Sequence, residues 1–335
     1  MKVLFDHPSP FLLAHGGFQI QIEQTKEALQ QIGVEVDYLC WSDPNQPATL
    51  IHFFGRPPAS YVEFAHAKNI RVVMTELLGG LAARSKLSRL IQRALISGSQ
   101  KVLPKPFTNK LAWESYKIAN AIIALTAYEA RLMTEMFDAD PAKTHVVPNG
   151  VETVFLESAK VGRGKWLICT ATITERKRVL ETAQAAIDAG TPLWVIGKPY
   201  AESDSYFQKF RDLCLRNPKL LRYEGPVDDR QSLARIYREA RGFVLLSSME
   251  SLSLSALEAA ACECPLLLSD LPWARSVFKD DAKYCPIAST QRTSKVLREF
   301  YDVAPNLKSA PKPKSWREVA LQLRVIYDRV LNTSS

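Results

Sequence analysis

Short apolar runs of four to six residues, many of them β-branched, alternate along this chain with longer stretches of helical period. A parallel strand covered by helices on both faces shows no polar alternation, so the pattern predicts βαβα units. Strands are expected at Lys2–Phe5, Val34–Leu39, Leu50–Phe54, Arg71–Thr75, Ala121–Leu125 and His145–Val147. A second series falls at Trp166–Ala171, Leu193–Ile196, Leu221–Tyr223, Phe243–Leu246 and Leu266–Leu268. Each series suffices for one sheet. Between them Glu157–Lys165 is short, polar and glycine-bearing, which marks a domain boundary. Thr126 with Glu129 and Ser315 with Glu318 have the spacing of a capping box, and the second of these helices is expected to run to about Leu331. The Pro- and Lys-rich stretch Ala304–Lys314 reads as a solvated connector. The expected fold class is α/β, with two doubly wound Rossmann-like domains at 1–157 and 158–314 and a closing helix at 315–335.

Composition keeps the chain among ordinary globular proteins: 335 residues, 47% hydrophobic and 23% charged. No run approaches the roughly 18 to 20 apolar residues of a membrane span, and Met1–Phe5 is too short for a secretory signal, so a cytoplasmic location is expected. The six cysteines form no CxxC pair and read as reduced, mostly buried thiols. Cys262-Glu-Cys264 lacks a second Cys or His pair, so no metal site is expected. The net charge of +8 lies wholly in the second half, because residues 1–158 carry 15 basic and 15 acidic groups. Within that neutral half, residues 80–117 hold Arg84, Lys86, Arg89, Arg93, Lys101, Lys105, Lys110 and Lys117 against Glu114 alone. Leu81–Ser97 places Leu87, Leu90, Ile91 and Leu95 at helical spacing among those arginines. Such a helix either lies on an anionic membrane or packs in the core with its charged face in water. There is no nucleic-acid-binding signature.

Doubly wound sheets bind ligands outside the carboxyl ends of their strands. Gly162-Arg-Gly164 precedes a strand rather than following one, and is taken as linker. The strongest candidate is Ser247–Pro265, which follows the strand Phe243–Leu246. Glu250 sits in its loop and Glu258 in the next helix, while Ser251, Ser253 and Ser255 crowd the helix start. Free N–H groups there make an anion site, and a carboxylate accepts from two neighbouring hydroxyls at once. The combination suits a phosphate-linked molecule carrying sugar diols.

The Glu-x7-Glu spacing, followed by Ala-Ala-Ala-Cys and Pro265, resembles the donor-site signature of the family-4 retaining glycosyltransferases, also called glycosyl transferases group 1, which have the GT-B fold. His145-Val-Val-Pro-Asn-Gly-Val-Glu152, Gly16-Gly17, Tyr223-Glu-Gly-Pro-Val227 and Ser315-Trp316 are similar to further segments of that family. The resemblance implies two domains facing across a cleft, a closing helix that crosses back to the first, and transfer of a hexose from a nucleotide-diphosphate-sugar donor with retention of configuration. It implies no cofactor besides the donor substrate. The acceptor is an unidentified sugar, glycan or lipid-linked molecule, presented by the first domain as the resemblance implies; the basic cluster, rather than the resemblance, adds an expected peripheral contact with an anionic membrane through Arg84, Lys86, Arg89 and Arg93. The implied catalytic residues are Lys177, Glu250 and Arg178; donor-binding residues are Glu258 for the ribose, Gly16, Gly17, Arg176, Ser253 and Leu254. Either Arg176 or Arg178 stands in for the family's diphosphate arginine, whose position falls on Thr172. Other departures are Leu77 or Glu76 for a sugar-contacting histidine, Ser253 for a glycine, and Glu263 for the glycine of A-C-G-x-P. His15 is a candidate to orient the acceptor, and Asp138-Ala-Asp140 reads as a polar turn. A catalytically silent sugar-nucleotide-binding subunit and a GT-B sugar-nucleotide epimerase are the alternatives.

Overall fold

Apolar runs without alternation do become parallel strands, since the helices laid over both faces leave them no solvent side. A computed structural model describes residues 1–13, 16–102, 113–158, 161–287 and 289–332. The first half contains β1 (Lys2–Asp6), α1 (Gly17–Gln31), β2 (Glu35–Tyr38), β3 (Leu50–Phe54), α2 (Ala59–Ala67), β4 (Arg71–Thr75), α3 (Lys86–Val102), β5 (Ala121–Ala124), α4 (Ala127–Phe137) and β6 (Thr144–Val146). There follow β7 (Leu167–Thr170), α5 (Val179–Ala189), β8 (Leu193–Ile196), α6 (Ser205–Arg216), β9 (Leu221–Tyr223), α7 (Arg230–Glu239) and β10 (Gly242–Leu245). The chain ends through α8 (Leu254–Ala261), β11 (Leu266–Ser269), α9 (Pro272–Phe278), β12 (Lys283–Cys285), α10 (Thr290–Val303) and α11 (Trp316–Asn332). It divides into two compact units, Met1–Asn149 with Trp316–Ser335 and Gly150–Ser315.

The first unit holds a six-stranded parallel sheet in the order β2-β1-β3-β4-β5-β6. Its edge strand β2 buries only Val36, as an edge needs less apolar cover than a centre. The second unit holds β12-β11-β10-β7-β8-β9. Counted from β7, that is the doubly wound order 3-2-1-4-5-6. Strand β12 was not expected from the sequence: Lys-Tyr-Cys has no apolar run, and the strand exists because its backbone extends the ladder of β11, Leu267 opposite Lys283. The connector also differs from expectation, since Ala304 and Ala310 are buried rather than solvated. Thr126 accepts from the Glu129 N–H at 3.1 Å as a helix cap, while Glu129 Oε1 accepts from the Leu78 N–H at 2.9 Å. Asp138 ends α4 in the left-handed region, and Asp140 accepts from the Ala142 N–H at 2.8 Å, a turn as the sequence suggested.

Helix α11 buries Trp316, Val319, Ala320, Leu323, Ile326, Tyr327 and Val330 at helical spacing and packs against α1. Tyr327 anchors it by a polar contact in the interior, its hydroxyl lying 2.5 Å from Nδ1 of His52 on β3. The other ring nitrogen meets Thr75 Oγ1 at 2.7 Å. Burial lowers the His52 pKa to about 3, so the ring is neutral in the fold. A histidine neutral in the native state and titrating near 6.5 when unfolded contributes stability above pH 6.5 that is lost as pH falls from there toward 3. Between pH 7 and pH 5 the protein is expected to lose about 2 kcal/mol through this group. Urea unfolding at both pH values should show that loss in the wild type and a clearly smaller one in His52→Gln.

Candidate active site

The strand order of the second unit reverses between β7 and β10, which opens a crevice outside their carboxyl ends. The loop after β7 tightens into a 3₁₀ turn at Glu175–Lys177. It is tied to the loop after β10 by its backbone, for Arg176 O accepts from the Ser248 N–H at 2.8 Å and from its hydroxyl at 3.1 Å. The Arg176 guanidinium donates to Met249 O at 2.9 Å and lies 3.4 Å from Glu250 Oε1. Lys177 pairs with that same carboxylate oxygen. Side-chain exposures of 12% for Lys177 and 9% for Glu250 put this pair out of bulk water, where its charges act strongly. Two cations on one carboxylate leave a net positive site. Ser253 caps α8, its hydroxyl accepting from the Ala256 N–H at 3.3 Å and lying 3.1 Å from Ser255 Oγ. Leu254 is the first helical residue. The hydroxyls of Thr174 and Ser247, one in each loop, are buried without a hydrogen-bond partner among the described residues. Such groups are uncommon in folded proteins and are available to a ligand.

Glu258 lies one turn along α8, 7% exposed. Its two oxygens already take donors: Arg230 at 2.5 Å and the Tyr237 hydroxyl at 3.2 Å. Tyr237 in turn meets Thr170 Oγ1, at the end of β7, at 2.6 Å. Arg230 also pairs with Glu152 at 2.5 Å and places its cation 4.7 Å from the Phe155 ring centre. Burial works against the charge of Arg230, but Glu258 and Glu152 outweigh it and hold its pKa above the ordinary value. Burial raises the Glu258 carboxyl above its ordinary value, and Arg230 draws it part of the way back. Each Glu258 oxygen keeps a second lone pair for a hydroxyl.

Two family models cover most of the chain between them. Residues 164–298 match that of the glycosyl transferases group 1, and residues 45–155 match that of glycosyltransferase family 4. The chain carries a glycosyl transferases group 1 domain and a glycosyltransferase family 4 domain. Among curated relatives, a D-inositol 3-phosphate glycosyltransferase of Kineococcus radiotolerans is 29% identical over 187 residues, 49% of this chain and 42% of that protein. One from Frankia alni is 28% identical over 222 residues, 58% of this chain and 52% of that protein. The chain thus spans about half the length of these relatives. Among solved structures, sucrose-phosphate synthase from Thermosynechococcus elongatus superposes with a TM-score of 0.69 at 17% identity, covering 99% of both chains. Anabaena HepE in complex with UDP gives 0.64 at 13%, covering 98% of this chain and 100% of that one. At these identities the likeness is one of fold, the GT-B pair of doubly wound α/β units.

In this chain the geometry separates the candidates that the sequence offered. Arg176 reaches Glu250, whereas Arg178 turns to φ +52°, starts α5, and lines a small pocket with Glu181, Leu246, Ser269 and Cys285. Gly16 and Gly17 open α1 in the first unit, and Gly16 at φ +135° needs the freedom of glycine. His15 lies outside the described residues, as do Lys105 and Lys110. Glu76 follows β4, buried, accepting from the Tyr116 hydroxyl with Arg56 at 3.4 Å. Burial raises its carboxyl. The sequence reading gave no site role to Arg230, Tyr237 or Thr170, which surround Glu258. It also missed Gly197 at φ +145°, where an added Cβ would stand 2.0 Å from Ala171 O. For Gly197 a signal existed, a glycine closing a strand; for Arg230 none did, because its partners lie 28 and 78 residues away. Among the described residues no group of three or more His, Cys, Asp or Glu is placed to hold a metal ion. Arg230→Met is expected to lower stability by about 1–3 kcal/mol, because it leaves two carboxylates without their cation near the protein interior. Urea denaturation measures it, and the added Glu152→Gln change should recover part of the loss.

Proposed function

We propose that the chain transfers a sugar from a nucleoside-diphosphate donor to a sugar, glycan or lipid-linked acceptor, with retention of the donor's anomeric configuration. The observation that carries the reading is the cluster of Lys177, Arg176 and Glu250, joined at the switch point of a sheet in the dinucleotide-binding order. Lys177, Arg176 and the amino end of α8 are positive groups fixed before substrate arrives. With Lys177 held out of bulk water and Arg176 partly exposed, they stabilise the charge that grows on the departing diphosphate without first having to reorganise. Glu250 keeps lone pairs beyond those its two cations occupy, and these accept hydroxyls of the donor sugar. Glu258, steadied by Arg230 and Tyr237, accepts the ribose diol. Retention and a hexosyl donor follow the family's habit. UDP is the first nucleotide to try, since it is bound in the HepE structure.

Lys177→Ala should lower turnover about 100-fold at a temperature where the variant is folded, the usual worth of one fixed group facing transition-state charge, with a stability loss of about 1–3 kcal/mol because Glu250 loses a buried partner. Glu258→Ala should weaken a nucleoside diphosphate about tenfold in calorimetric titration, as donor hydroxyls lose a buried acceptor. Unchanged turnover in the first variant removes Lys177 from the chemistry. Nucleotide binding by the wild type without hydrolysis or transfer would favour a silent binding subunit. Proton NMR of the product's anomeric centre decides retention, and an inverted product overturns it.

A further inference from the structure

Helix α3 is oriented against the usual rule. The residues it turns toward the first unit are Arg89 and Ile96: Arg89 donates to the Tyr128 hydroxyl and stacks on that ring, and Ile96 is 3% exposed. Its other aliphatic side chains face away, with Leu87 68%, Leu90 63%, Ile91 56%, Leu95 68% and Val102 81% exposed. At 3.6 residues per turn, Leu87, Ile91, Leu95 and Val102 fall within roughly 80° of arc, about opposite Ile96. Single exposed leucines are ordinary, but a continuous aliphatic strip on one helix face is a surface kept for something else.

The charges beside the strip say what that is. Arg84, Lys86 and Arg93 are exposed too, Lys86 and Arg93 on the flank that Leu90 borders, roughly 40–60° of arc beyond it, and no Asp or Glu occurs between Glu76 and Glu114. A second copy of the chain would bring the same cations together without an acid between them. A neutral apolar partner would leave them unanswered. An anionic bilayer satisfies both halves, taking the aliphatic side chains into its headgroup–acyl boundary and the cations onto its phosphates. We propose that α3 docks the first unit on an anionic lipid surface, with Leu87, Ile91 and Leu95 inserted and Arg84, Lys86 and Arg93 on the headgroups. Arg89 takes no part, since its guanidinium faces Tyr128. The proposal goes beyond sugar transfer and does not depend on it.

The test is cosedimentation of the full chain with phosphatidylglycerol or phosphatidylcholine vesicles, at low and high salt. The wild type should partition onto the anionic vesicles at least tenfold better than onto the zwitterionic ones. Leu87→Ser/Ile91→Ser/Leu95→Ser and Arg84→Gln/Lys86→Gln/Arg93→Gln should each lower that partition at least tenfold. Because all six side chains are exposed, circular dichroism and melting temperature should stay as in the wild type. The proposal fails if the wild type ignores anionic vesicles, or if the serine variant binds them as well as the wild type does. It fails equally if sedimentation velocity shows a dimer that the serine variant disperses, for then a second copy covers the strip.

Discussion

The pairing of β10 with β7, Gly242 opposite Leu167 and Phe243 opposite Ile168, is the contact on which the candidate site depends. It joins strands separated by some seventy residues and so sets the loop of Glu250 against the loop of Lys177. Close packing on either side fixes the approach. A Cβ on Gly242 would stand 2.7 Å from the Phe300 ring, and one on Gly197 would strike the carbonyl of Ala171 at the end of β7. Neither place has room for a side chain, a backbone carbonyl standing in the way at Gly197 and a buried aromatic ring at Gly242.

Charge is handled differently in the two units. The second unit places Glu250 and Glu258 in a largely dry site and answers them with Lys177, Arg176 and Arg230. Such pairs add little net stability, because desolvation offsets the attraction, but losing one partner is costly. Their effect is to hold side chains in one arrangement, which a site for a charged, hydroxyl-rich ligand requires. The first unit instead fastens its last helix with the neutral chain Tyr327, His52 and Thr75, buried in apolar surroundings.

Local pattern was enough for most of the fold. Strands β3, β4, β8 and β9 begin and end at the residues expected, because each is an apolar or alternating run closed by a polar residue or glycine. The Glu-x7-Glu spacing and the run of cations at 176–178 were likewise visible, since both lie within one loop and its helix. Glu263 is instructive: it stands where the family has glycine, yet its backbone keeps φ +59°, the left-handed region that glycine occupies without strain. The conformation outlasts the residue type that usually signals it.

The sequence by itself determined the element types, the doubly wound class and the residue types gathered near the donor signature, because those depend on neighbours a few positions apart. Tertiary structure alone decided which two of three adjacent cations meet Glu250, since the left-handed turn at Arg178 sends that side chain elsewhere. It decided that Arg230 bridges Glu152 and Glu258, a junction of three chain segments. It also gave β12 its existence through the ladder of β11. On α3 the periodicity fixed two faces without saying which would meet the protein. An amphipathic pattern is the same whichever side is buried, and only packing against Tyr128 and its neighbours turned the leucines outward.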